Sequence, residues 1–371
     1  MEANNLVISD GERSYKILKP IGTWGPDFSL IVYEALVLDS NNKVPHVAFK
    51  MIKETDDLQD FHEMVVDDVN RSTDFSAHGC RYILPIFKSF YSEIDGDLTL
   101  CIVLPFDSHV VSLRSLLSDN PSFTGGLHDK FIGIVLARVL KALRKVHKKG
   151  NHHMQITAGN IFYNYRSDTI QLAYAASVYE RDTTLDDDGT VCSVNKMLAW
   201  ALAPEVNDEE SMEFVDNYDT EKSDIWLVGI AALELAYGKI QVRSRRELLE
   251  IASYISEVKI LPNTWEELRQ KSAELIADRA LPIKKRRFGN GSHTSNTALS
   301  TETERRLSAC FGSFVATCLD TDVNMRASAK QLKKHVFLKK NVGSLRYFRD
   351  VIVKEKNPHV ARFLIGGSKR K

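Results

Sequence analysis

The hydrophobic period changes once along the 371-residue chain, and that change limits what it can fold into. Up to about residue 106 the apolar residues come in short β-branched or aromatic runs: Tyr15 to Ile21, Leu30 to Leu38, Val47 to Ile52, Ile83 to Phe90 and Leu98 to Pro105. Asn41-Asn42 and Asp95-Gly96 supply turn residues between them, so these runs predict strands. One insertion, Leu58 to Phe75, has helical spacing instead, with Phe61, Met64, Val65, Asp68, Val69 and Ser72 on one face. From Ser112 the period is 3.6: Ile132, Val135, Leu136, Val139, Leu143 and Val146 make a stripe that ends at Gly150, with Lys148 and Lys149 in the last turn. The expected fold class is α+β, with a small mostly β lobe containing one helix over about residues 13–106 and a larger mostly α lobe over about 107–340. Residues 1–12 read as an extension and 341–371 as a basic tail, a short helix or disordered, ending in Ser368-Lys369-Arg370-Lys371.

Formal net charge is zero, so composition gives no argument for a nucleic-acid partner. The five cysteines (Cys80, Cys101, Cys192, Cys310, Cys318) are scattered, odd in number and without metal-ligand spacing, which fits reduced thiols. The first residues lack a basic region followed by an apolar run, and no stretch approaches the roughly 20 apolar residues that span a bilayer. A cytoplasmic chain without membrane, nucleic-acid or metal partners is expected. Lys284 to Thr303 opens with four cations and turns polar, which reads as a solvated loop; a nuclear import signal at Lys284-Lys285-Arg286-Arg287 is the alternative.

Lys50 lies in a strand after a turn containing Gly22 and Gly25, and before a helix whose apolar face carries Asp68. A buried acid needs a partner, and Lys50 is the candidate; otherwise Asp68 sits solvated at the margin of the stripe. Further along come His153-Met154-Gln155-Ile156-Thr157-Ala158-Gly159-Asn160-Ile161-Phe162 and Gln171-Leu172-Ala173-Tyr174-Ala175-Ala176. Leu202-Ala203-Pro204-Glu205, Lys222-Ser223-Asp224-Ile225-Trp226 and Arg326 follow. In this order and at these spacings the segments resemble the subdomains of a eukaryotic protein kinase over about residues 13–340.

That resemblance sets what the chemistry would require. Kinase catalysis is positioning plus electrostatics, with one Asp orienting the substrate hydroxyl and another holding magnesium on the phosphates. In the matching register the first Asp is Gln155, the lysine two residues on is Thr157, and the magnesium Asp is Tyr174, with Ala175 and Ala176 after it. An amide has no useful basicity, and a phenol is a poor ligand for a hard cation. No catalytic residue is therefore assigned, and no phosphoryl transfer is expected. The resemblance implies a nucleotide-facing set of Gly22, Gly25, Ala48, Lys50, Asp68, Asn160 and Phe162, so ATP without magnesium is the expected ligand. The glycine loop departs from the usual pattern, and Pro26 removes a donor, so Lys50–Asp68 as a purely structural pair in an empty or collapsed cleft stays open. Glu205 and Arg326 match the ion pair that ties the activation segment to the large lobe, and Asp224 matches the acid that braces the catalytic loop.

Within that superfamily the chain is similar to the sterile-20-related adaptor pseudokinases. The similarity rests on Ile21-Gly22 with Asp27, on Lys141 to Gly150, on Tyr218 to Ile225 with Val228-Gly229-Ile230 and Glu234-Leu235-Ala236, and on the polar insertion near Lys284. It implies an allosteric activator of a Ser/Thr kinase resembling liver kinase B, held together with it by an armadillo-type scaffold. The implied contact surface includes Tyr179, Thr183, Thr184 and Trp200. The chain lacks the Trp-Glu-Phe C-terminus by which some members of that family dock the scaffold. The rival readings are an atypical active kinase recruiting Asp168, Glu180 or Asp186 to Asp188, and a scaffold with no allosteric effect.

Overall fold

A computed structural model describes residues 6–24, 30–38, 46–54, 59–107, 109–119, 122–174, 201–206, 220–238, 240, 242–280 and 307–356. Its first part is a six-stranded antiparallel sheet in the order β1-β2-β3-β4-β6-β5. The strands are β1 (Val7–Ser9), β2 (Ser14–Trp24), β3 (Leu30–Val37), β4 (His46–Lys53), β5 (Lys88–Ile94) and β6 (Asp97–Pro105), with α1 (Gln59–Ala77) between β4 and β5. The β5–β6 hairpin turns through Asp95 and Gly96, at φ 55 and 86, as a two-residue primed turn requires.

Strand alternation sorts the side chains of this sheet onto two faces. Val32, Ala48, Ile52, Leu100, Ile102 and Leu104 pack with Val65 and Val69 of α1. Tyr15, Ile17, Ala35, Val47, Phe49, Cys101 and Val103 form a core on the opposite face. Lys50 falls between Ala48 and Ile52 in β4, and period two puts it on the face that α1 covers. The predicted strand from Ile83 begins at Lys88 instead, because Pro85 has no N–H for a ladder; Ile83 makes only an isolated bridge to Leu172.

The second part is helical. It comprises α2 (Leu113–Asp119), α3 (Asp129–Lys148), α4 (Thr220–Tyr237), α5 (Arg245–Val258), α6 (Trp265–Ala280), α7 (Ala309–Cys318), α8 (Ala329–Leu332), α9 (Val336–Lys340) and α10 (Arg346–Lys356). A small sheet, β7 (Val110–Ser112), β8 (Ile161–Asn164) and β9 (Thr169–Leu172), lies among them in the order β7-β8-β9. The α3 stripe is buried as expected, against α4, whose Ile225, Trp226, Val228, Leu233 and Leu235 are buried too. Gly126, at φ 90, lets the approach to α3 press against the Ala236 carbonyl, where a Cβ would overlap it.

The packed unit runs past residue 340. In α10, Phe348 and Ile352 are buried with Leu345, and Phe348 stacks near Phe123 at 4.7 Å between centroids. The cysteines among the described residues, Cys80, Cys101, Cys310 and Cys318, are free thiols. No helix among the described residues is long and apolar enough to cross a membrane. The loop from Lys284 to Thr303, together with Gly25, Ala175, Ala176, Tyr179, Thr183, Thr184 and Trp200, lies outside the described residues.

Candidate functional site

The site is built around a loop that has no regular structure of its own, residues 151–157, between α3 and a 3-10 turn at Ala158–Asn160. Such a segment needs outside partners for its backbone. α4 supplies them from two buried carboxylates. Asp224 accepts the N–H groups of His153 (2.9 Å) and Met154 (2.7 Å), and the His147 ring nitrogen Nε2 lies 2.9 Å away. Glu234 accepts the Ala158 N–H at 2.8 Å and pairs with Arg114 at 2.9 Å. Ten residues apart on one helix, the two acids are about 15 Å apart along its axis and hold both ends of the loop. Met154 is drawn to φ 58, an uncommon conformation for a residue with a side chain. The expected brace at Asp224 is in place; Glu234, Arg114 and His147 had been given no role.

Within the loop, the Asn160 side-chain amide donates to the Gln155 carbonyl at 2.6 Å and its N–H to the Thr157 carbonyl at 3.1 Å. The Gln155 amide nitrogen turns to Met64 Sδ on α1, at 3.4 Å. Gln155 Oε1 and Thr157 Oγ1 are buried without a hydrogen-bond partner among the described residues. These groups are neutral. A hard divalent ion wants carboxylate oxygens, which Gln155 and Thr157 do not supply, and Asn160 alone matches the kinase metal set. No cluster of three or more His, Cys, Asp or Glu that could hold a metal occurs among the described residues.

Across the cleft Lys50 and Asp68 are both buried, so the inward reading of Asp68 holds. Burial pushes the Lys50 amine well below the usual lysine range, and the charge on Asp68 opposes that shift. Arg71, one turn along α1, approaches Asp68 at 3.7 Å. Ala48 and Phe162 are buried nearby on β4 and β8, and Gly22 lies in β2 opposite Val32.

The Tyr174 side chain, expected at the magnesium position, lies in the core. Its ring is fully buried, stacked on His153 at 4.5 Å and 15°, with Phe75 of α1 beyond it at 6.5 Å and 18°. The residue beside Asn160 is Ala173, whose N–H bonds the Asn160 carbonyl at 2.9 Å. Ala173 thus continues the β8–β9 pairing, in which Ile161 lies opposite Leu172, and is fully buried, while the Tyr174 side chain packs in the core. His153, Tyr174 and Phe75 form a column from the loop into α1, closed by Lys149 over the Phe75 ring at 4.9 Å. Lys149 also pairs with Asp74 at 2.6 Å, a second tie between α1 and the helical lobe.

This column has a pH consequence. Burial lowers the His153 pKa to about 4, with the charges of Arg71, His147 and His152 adding and Asp224 opposing. Both ring nitrogens lack partners among the described residues. The folded state thus resists a proton that the unfolded state accepts near pH 6.5, so stability present above that pH is lost as pH falls toward 4. The loss between pH 7 and pH 5 comes to about 2 kcal/mol. His153→Phe keeps the stack and the backbone bond to Asp224. It is expected to flatten the pH dependence of the melting temperature across this window, and an unchanged profile would show that His153 is not the group responsible.

The expected ion pair is present. Arg326 is fully buried and bidentate on Glu205, at 2.5 and 2.9 Å, and also donates to the carbonyls of Asp320 (2.8 Å) and Lys222 (3.0 Å). Burial would raise the Glu205 carboxyl, but the Arg326 hydrogen bonds and charge, with Ser223, hold it below its usual range. Arg245 at the start of α5 had been overlooked. It is buried and donates to the Leu202 and Ala203 carbonyls at 3.1 and 3.0 Å, clamping the segment that leads to Glu205. A lone Arg at a helix start carries no sequence signal for that contact.

A family model described as "Protein kinase domain" matches residues 31–338. The chain is 29% identical over 232 residues to the STE20-related kinase adapter protein alpha of Gallus gallus, covering 58% of this chain and 56% of that protein. It is 30% identical over 233 residues to the protein of the same name from Homo sapiens, covering 58% and 51%. The serine/threonine-protein kinase sid1 of Schizosaccharomyces pombe matches at 25% over 233 residues, covering 63% and 38%. The matched region spans about half the length of the adapter proteins.

Proposed function

The chain belongs to the protein kinase domain family, and from that premise we propose that it is a non-catalytic member that works as an adaptor for a Ser/Thr protein kinase. The observation that carries the reading is a contrast within one loop. The groups that hold the loop in shape, Asp224 and Glu234, are charged and bonded. The groups at the positions that would do chemistry, Gln155, Thr157 and Tyr174, are neutral. A proton acceptor and a metal carboxylate are both needed for phosphoryl transfer, and electrostatic stabilisation supplies most of the rate. Asp168, a carboxylate that an atypical enzyme might have recruited, is engaged elsewhere, near Arg138 at 3.4 Å and the Tyr163 hydroxyl at 3.3 Å.

The similarity to proteins named kinase adapters supports the same reading. On this account the partner is a kinase resembling liver kinase B, with an armadillo-type scaffold holding both, in the cytoplasm or the nucleus. Titrating the full chain into such a kinase with its scaffold is expected to raise the partner's rate on a peptide substrate saturably and severalfold. Binding without any change in rate would leave a scaffold and contradict the allosteric part.

ATP without magnesium is the ligand proposed for the cleft, on Lys50, with Asp68 positioning the amine, and on Ala48, Phe162 and Gly22. A ligand that binds only the folded form raises its apparent stability, by about 2.7 kcal/mol at a hundred times Kd. Millimolar ATP should raise the melting temperature equally with magnesium and with a chelator. No shift would leave Lys50 and Asp68 as a structural pair.

A further inference from the structure

Surface helices usually mix charges of both signs, and α6 does so: Arg269 pairs with Glu266 at 3.0 Å and Lys271 with Glu267 at 2.6 Å. The second half of α3 does not. Beyond Lys130, the exposed side chains of this helix are Lys141, Arg144, Lys145 and Lys148. None of the four makes an ion pair among the described residues. The cations that flank them are already matched, Arg138 near Asp168 at 3.4 Å and Lys149 on Asp74 at 2.6 Å. The helix dipole favours cations in the last turn, which accounts for Lys145 and Lys148 but not for Lys141 and Arg144 a turn earlier.

The turn before Ile83 extends this ridge. Arg81 is exposed and donates to the Tyr82 hydroxyl at 3.3 Å, and the Gln171 side chain fixes the turn through the Arg81 carbonyl at 3.3 Å. β9, which packs on α3, donates its Leu172 N–H to the Tyr82 carbonyl at 2.8 Å, which sets this turn beside the helix; the Arg81 hydrogen bond lowers the Tyr82 phenol, and the charges of Lys141 and Lys145 add to it. In a chain of zero net charge, five cations on one strip are a local concentration.

We propose that the α3 ridge of Lys141, Arg144, Lys145 and Lys148, with Arg81 beside it, docks an acidic peptide segment of a partner protein. Shape decides between anionic partners. From Lys141 to Lys148 the ridge is about 10 Å long and one helix wide, enough for three or four extended residues. No exposed large hydrophobic side chain lies on α3 or in the turn at 79–83, so nothing here inserts under lipid headgroups. Duplex binding draws on phosphate contacts spread along a groove, a wider footprint than this strip. The ridge is separate from the cleft, and its use does not depend on nucleotide.

The test is fluorescence anisotropy of a labelled hexaglutamate peptide with the full chain, at low and at physiological ionic strength. The comparison is a variant carrying Lys141→Gln, Arg144→Gln, Lys145→Gln and Lys148→Gln, a change that leaves helix propensity almost unaltered and whose folding is checked by melting. Lys271→Gln on α6 serves as the control. The result expected is salt-sensitive binding to the native chain and the control, weakened about tenfold or more in the fourfold variant. No binding at low salt overturns the proposal, as does equal binding by the variant, which would assign the peptide to other basic segments such as Lys284 to Arg287. Anionic vesicles or duplex DNA that lose affinity in the variant while the peptide does not would overturn it in favour of those partners.

Discussion

Tyr174→Asp is expected to unfold much of the chain rather than to supply a magnesium ligand. Tyr174 is fully buried between the rings of His153 and Phe75. Truncating a buried aromatic side chain costs about 3–5 kcal/mol. A carboxylate in its place would also be desolvated near Asp68 and Asp224, whose negative charges already help to push the Tyr174 phenol upward alongside burial. The total expected loss is at least about 5 kcal/mol, which is comparable to the whole stability of many domains. Tyr174→Phe is the matched control. The hydroxyl has no partner among the described residues, so removing it should leave stability equal or raise it by about 1 kcal/mol. Denaturant unfolding of the three proteins checks both. A stable Tyr174→Asp that binds magnesium would put the side chain in the cleft and refute the column.

Arg326→Ala is the second large effect. Arg326 is fully buried: its guanidinium satisfies Glu205 and two carbonyls and lies 5.2 Å from the Trp226 ring. Breaking a buried pair by removing one partner costs about 3–5 kcal/mol because the other charge remains. Glu205→Gln should cost less, since the neutral amide still reaches Ser223 and the guanidinium. The double variant Glu205→Gln with Arg326→Ala should recover part of the Arg326→Ala loss. A double-mutant cycle on denaturant midpoints measures this coupling, and strict additivity would mean the pair is not the reason for the loss.

The parts of the structure that were readable beforehand are those set by period and by local pairing. Lys50 and Asp68 meet because alternation in β4 and the 3.6 period of α1 aim both at one layer. The α3 stripe and the hairpin at Asp95-Gly96 follow from the same local rules. The direction of the Tyr174 side chain was not readable. Leu172 and Ala173 continue the β8–β9 pairing, and the stack that takes the Tyr174 ring into the core is made with His153 and Phe75, distant in sequence. Long-range braces were also hidden. Glu234 reaches Ala158 across 76 residues, and Arg245 reaches Leu202 across 43, so no window of sequence contains either contact. Helix α10 was open to a local reading, since Leu345, Phe348 and Ile352 keep helical spacing through the basic tail.

The absence of charge at Gln155, Thr157 and Tyr174 has one consequence that outranks the rest, and a transfer assay reads it directly. The full chain, incubated with γ-labelled ATP, magnesium or manganese and a generic protein substrate, should incorporate no more label than Lys50→Met does. Label above that background, lost in Lys50→Met and proportional to the chain added, would contradict the account, because it would require a carboxylate to reach the cleft beside Asn160.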